Sequence, residues 1–135
     1  MNENLEIAIE KIQELDFHVN EDIELNGDIQ FYLQFETRGD AAKGKINIDV
    51  RSVFHLKDKP GSQVLTHTAR TVFQAKDLSK FCDSDGKLNL PEQYATTLLG
   101  IAITHARALL SQTSARSRFG DLIIPIVNPT NCIET

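Results

Sequence analysis

The stretch Phe81–Glu92, FCDSDGKLNLPE, has the outline of a calcium loop. Asp83, Asp85, Gly86 and Glu92 fall where the pattern D-x-[DN]-x-[DN]-G-x5-E places two ligands, the turn glycine and the closing carboxylate. Phe81 holds the first ligand position, and a hard cation without that carboxylate is under-coordinated. Pro91 stands inside the loop, so the stretch reads as an Asp-Gly turn running into a helix start. The histidines, His18, His55, His67 and His105, pair neither with one another nor with Cys82 or Cys132 at ligand spacing. There is no G-x-S-x-G elbow and no phosphate-cradling glycine loop. Glu21 and Asp22 are adjacent, which on a strand turns them to opposite faces, away from shared acid–base work. The expectation is no metal, no cofactor and no catalytic residue: binding, not an enzyme.

A chain of 135 residues, 41% hydrophobic and 24% charged, suits one domain spanning 1–135 with a modest core. A net charge of −5 provides no basic field for nucleic acid or an anionic membrane. The acidic start MNENLEIAIEKIQ is unlike a signal peptide, and no apolar run is long enough to span a bilayer. Two distant cysteines suit a reducing compartment, so a cytoplasmic location is expected.

Four extended segments follow an N-terminal helix. Leu5, Ala8, Ile9, Ile12 and Leu15 recur at steps of three and four, which predicts an amphipathic helix over 3–15. Phe17–Leu25 reads as a first strand closed by Asn26-Gly27-Asp28. In 28–36, Ile29, Phe31, Leu33 and Phe35 alternate with polar residues; in 45–57, Ile46, Ile48, Val50, Phe54 and Leu56 do the same. A fourth strand follows Asp58-Lys59-Pro60-Gly61 and carries Leu65, Ala69 and Phe73. The alternation predicts an antiparallel sheet with a dry face (Phe31, Leu33, Phe35, Ile48, Val50, Phe54, Phe73) and a wet one (Gln30, Gln34, Asn47, Asp49, Arg51, His55).

A helix is expected over 91–114, and its apolar residues form two stripes. One is Tyr94, Leu98, Ile101, Ala102, His105 and Leu109; the other is Ala95, Leu99, Ile103, Ala106 and Leu110. A helix that only covers a sheet needs one stripe, so two predict burial on both sides. The expected second partner is another copy of the chain, meeting Leu98, Gly100, Ile101, His105 and Leu109 in a homo-oligomer; the alternative is cover from the N-terminal helix and the C-terminal apolar segment. Gly100 would let a second backbone approach. The chain then runs through Phe119-Gly120 into an apolar segment interrupted by Pro125.

The order of four strands, connector, long helix and terminal apolar segment resembles the SecB-type export chaperones. The likeness covers roughly residues 16–130. Arg51–Ala75, RSVFHLKDKPGSQVLTHTARTVFQA, looks like the family's third strand, hairpin and fourth strand, with Thr71–Ala75 at its G-I-F-S-I segment. Thr104–Pro129, THARALLSQTSARSRFGDLIIPIVNP, is similar to the family's helix and following P-V-N segment. There His105-Ala106-Arg107 stands at Y-A-R and Ile124–Asn128 at L-x-P-V-N.

The resemblance implies an α+β fold, a four-stranded antiparallel sheet with helices packed on one face, here with the N-terminal helix added. It implies assembly as a dimer or tetramer, and binding of unfolded or aggregation-prone polypeptide in an apolar groove. Chaperones of antitoxins, which share the likeness, are one form of that function. Leu122, Ile124 and Ile126 would line the groove, with Phe17, Phe31, Tyr94 and Phe119 as neighbours and with Tyr94 and Phe119 exposed. The hairpin that is acidic in the export chaperones reads KDKPGSQ here, with Lys57 and Lys59, and this departure argues against docking on the translocation motor. The alternative is a protein that uses the fold only to assemble.

Overall fold

Lys45–Leu56 (β3) turns Ile46, Ile48, Val50, Ser52 and Phe54 to one side, all buried. Its antiparallel neighbour Lys59–Ala75 (β4) sets Phe73, Thr71, Ala69, His67 and Leu65 opposite those five, so the two central strands make one dry face. Ile29–Asp40 (β2) flanks β3 and Ile7–Val19 (β1) flanks β4, giving the order β1-β4-β3-β2 with β1 and β2 at the edges. A short 3-10 helix (Leu78–Phe81) and α1 (Glu92–Ser114) complete the elements. The structure, a computed structural model, describes residues 6–22, 28–57, 59–85, 87–117 and 119–125. Among these, no helix is long and apolar enough to cross a membrane.

The expected dry face is buried at Ile48, Val50, Phe54 and Phe73, and half-buried at Phe31, Leu33 and Phe35 on the edge strand. The expected wet face is not wholly wet, since Val53, Val64, Thr66 and Val72 on it are buried, and beside them Arg70 donates from Nε and a terminal nitrogen to the two oxygens of Asp49 at 2.7 and 2.9 Å. That bond holds the guanidinium pKa above its ordinary value. At the β2–β3 turn, Gly44 has φ 64°, and a Cβ there would lie 2.9 Å from the Ala75 carbonyl oxygen, so only glycine fits.

The expected N-terminal helix is a strand. Residues 7–19 pair with β4, and the register slips once between Ile9 and Lys11 and again between Glu14 and Asp16. These bulges put Ile7, Ile9, Ile12, Glu14, Phe17 and Val19 on the helix side, opposite Ala75, Phe73, Thr71, Ala69, His67 and Leu65. Spacings of two and three replace the regular two, and Ile9 and Ile12, three apart, then look like one helical step. The expected first strand, 17–25, begins inside β1, and its residues 23–25, with the turn at 26–27, lie outside the described residues. Instead of several helices on the sheet, the described residues contain one α-helix.

That helix crosses the strands. It packs on β4 and β3, with Ala95, Leu98 and Leu99 lining a hollow shared with Phe35 and Ile48, and ends over β1, where Thr113 Oγ1 donates to Glu14 Oε2 at 2.6 Å. Its buried residues, Leu98, Leu99, Ala102, Ile103, Ala106, Leu110 and Ser114, come from both expected stripes and form one wide face toward the sheet. The chain then doubles back. Phe119 and Ile124, each 1% exposed, enter the core, and Arg107 donates to the carbonyls of Ile124 (2.7 Å) and Pro125 (3.0 Å).

Candidate functional site

Three side chains on β2 stay half-open on the helix side: Phe31, Leu33 and Phe35. They alternate because every second residue of a strand shares a face. They remain half-open because α1 packs on β4, β3 and β1 and makes little contact with β2. Opposite them the connector places Leu88 and Leu90, and α1 places Ala95, Leu98 and Leu99. The space between is a groove; the same hollow wraps round the edge of the sheet onto its other face, where Tyr32, Gln34, Glu36, Asp49, Arg51 and Thr68 line it. Its floor is fixed from below, since Phe31 stacks on Phe54 with ring centres 5.8 Å apart. Its far wall is backed by Phe81 against Tyr94, edge to face at 6.4 Å.

Along the rim of this groove lies the outer edge of β2. Its ladder to β3 is unbroken from Ile29 to Asp40, and among the described residues no strand pairs with its other side. An edge of that kind offers a row of backbone donors and acceptors next to an apolar trough, which suits an extended polypeptide. Among the described residues no three of His, Cys, Asp and Glu gather closely enough to hold a metal ion.

Of the residues expected to line a client groove, Phe31 lies in this hollow. Phe17 lies on β1, across the full width of the sheet, edge to face with His67 and with ring centres 6.3 Å apart. Tyr94 backs the connector wall, and Leu122 is half-buried against the core. Phe119 and Ile124 are corrections: both are core, because the terminal segment folds back under the Arg107 clamp, and Phe119 is not an exposed aromatic. Ile126 lies outside the described residues. Leu33, Phe35, Leu88 and Leu90 were not singled out for this role. Their only sequence signal is leucine alternation in KLNLPE beside an alternating strand, and neither shows which strand is an edge.

The residues expected at an oligomer contact divide. Leu98 is buried within the chain and lines the groove, while Gly100, Ile101, His105 and Leu109 are half-buried. His105 Nδ1 lies 2.9 Å from Thr71 Oγ1, and Thr71 is opposite Ile12. Ile9 and Ile12 on that side are 48% and 44% exposed, a second apolar surface, well away from the groove.

Burial lowers the pKa of His105 below its ordinary 6.5. The folded protein therefore keeps the ring neutral, able to accept from the Thr71 hydroxyl, while the unfolded chain takes up a proton first. Stability from this group is present above about pH 6.5 and is lost as the pH falls through that value. Thermal melts between about pH 7 and 5.5 will show a falling midpoint, with a shallower slope in His105→Asn. An identical slope in the variant would remove His105 from the account.

Beneath α1, His67 is fully buried and its Nε2 lies 2.9 Å from Glu14 Oε2, the oxygen that also accepts from Thr113. The carboxylate requires the ring proton on Nε2. The cluster ties β1 to β4 and to the end of α1.

No family model matches the sequence, and no curated protein sequence matches it. In structure the chain is similar to a Mycobacterium tuberculosis SecB-like chaperone in complex with a ChAD peptide from an antitoxin. The TM-score is 0.63 at 11% identity, covering 90% of this chain and 87% of that one. To a protein of unknown function from Streptococcus agalactiae the TM-score is 0.38 at 16% identity, over 93% of this chain and 98% of that one. The fold is a divergent SecB-like fold.

Proposed function

We propose that the chain is a SecB-like, chaperone-type binder that holds extended segments of non-native polypeptide along β2. The observation that carries this reading is the coincidence of a regular strand edge, unpaired among the described residues, with a trough of Phe31, Leu33, Phe35, Leu88 and Leu90. The backbone edge gives affinity that does not depend on client sequence, and the trough adds a demand for apolar side chains at alternate positions. The similar chaperone from Mycobacterium tuberculosis carries an antitoxin peptide, which supports a polypeptide client, including an antitoxin-type one. No nucleic acid, membrane, metal or motor partner is part of the proposal, and the setting proposed is the cytoplasm.

The exposed Ile9 and Ile12 beside the Ile101–His105 flank favour a second reading, in which the chain self-associates as a dimer or tetramer. The two readings use different surfaces and are compatible. Aggregation of a chemically unfolded client, followed by light scattering with and without the purified protein, tests the first. Suppression near equimolar ratio supports client binding. Self-association by sedimentation with client aggregation unchanged would leave only the assembly role.

A further inference from the structure

Gly39 is the last helix-side position of β2 before the turn, opposite Ile46, and Leu88 occupies the space a side chain would need. A Cβ at Gly39 would lie 3.0 Å from Leu88 Cβ and 3.2 and 3.3 Å from its two methyl carbons. The backbone at Gly39 has no positive φ, so glycine serves here for space alone. Leu88 is held there by a tight turn. Cys82 and Leu88 form an antiparallel bridge, Asn89 N–H donates to the Phe81 carbonyl at 2.6 Å, and Asp83 N–H to that of Lys87 at 2.9 Å. The Asp83 carboxylate accepts the amides of Asp85 and Lys87 at 2.9 and 2.8 Å. The groove lining includes Phe31, Leu33, Phe35, Thr37 and Leu88 and stops short of Gly39.

We infer that Leu88 seated on Gly39 is an end stop that sets how long an extended segment the groove can hold. This rests on the polypeptide-binding reading of the groove. A strand laid along β2 from Phe31 to Thr37 covers roughly 20 Å, about seven residues. Its next helix-side side chain would have to enter the volume that Leu88 fills. Beyond that point further residues gain no apolar contact, so affinity stops rising with length.

The test is a ladder of fluorescein-labelled peptides, alternating leucine and serine, about five to eleven residues long. Binding is read by anisotropy on the native chain, on Leu88→Ala, and on Leu88→Ala combined with Gly39→Leu. For the native chain affinity climbs to about seven residues and then levels. In Leu88→Ala the climb continues, so the ratio of affinities for peptides of about nine and five residues rises about fivefold. The double variant carries the stop on the strand and restores the native ratio. Taking ratios cancels any general loss of wall area when Leu88 is shortened. An unchanged ratio in Leu88→Ala, or a native affinity that keeps climbing past about nine residues, overturns the end stop while leaving the groove in place. Absence of binding by the native chain at every length overturns the groove reading, and the end stop with it.

Discussion

Ile124→Ala lowers the unfolding free energy by about 2–5 kcal/mol and Phe119→Ala by about 3–5 kcal/mol, whereas Ile123→Ala changes it little. Ile124 and Phe119 are each 1% exposed within the core, while Ile123, the next residue along, is 56% exposed. Arg107 holds the carbonyls of Ile124 and Pro125, so the segment cannot slide to refill a cavity left at Ile124. Such a loss is a large share of the roughly 5–15 kcal/mol that keeps a domain folded. Urea melts of the three variants check this. Equal, small shifts for Ile123 and Ile124 would show that the terminal segment is a surface strap. The sequence-based expectation, a terminal segment partly open to a client, is replaced by this one.

The second large effect is on binding. Leu33→Gln together with Phe35→Gln will weaken client binding by about thirty- to 150-fold, since each loses about 1–1.5 kcal/mol of apolar contact with the client. Both side chains are half-buried on an edge strand, so their replacement costs the fold less than a core truncation does. Anisotropy of a labelled unfolded client, alongside a thermal melt of the same double variant, separates the two quantities. Native affinity in a folded Leu33→Gln, Phe35→Gln protein would move the client to another surface. Ile9→Gln with Ile12→Gln is the matched control: it alters a comparable exposed apolar pair on the opposite edge and leaves client affinity unchanged.

What the sequence disclosed follows from which physical signals are local. Alternation in β2, β3 and β4 and the span of α1 from Glu92 to Ser114 were legible, because side-chain direction on a regular strand or helix depends only on spacing. In β1 the same rule misled. Two bulges stretched the apolar spacing from two to three at Ile9–Ile12 and at Glu14–Phe17, and helix was the simpler reading of Ile9 and Ile12. The double stripe on α1 was real, but it reflects one broad face that meets the sheet and the returning terminal segment together. The groove was legible only at Phe31. Whether Leu33 and Phe35 sit over a covered or an open part of the sheet depends on strand order and on where α1 crosses, and both are long-range facts. The role of Gly39 depends on Leu88, which arrives from far along the chain.

Hydrogen exchange on the native chain, with and without a saturating extended client peptide, tests the central claim most directly. If the client adds to the open edge, the amides of β2 that point away from β3 become protected on binding, while those of β1 on the opposite edge do not change. Protection confined to β1, or peptide bound with no change along Ile29–Asp40, would contradict strand addition at β2 and the binding role built on it.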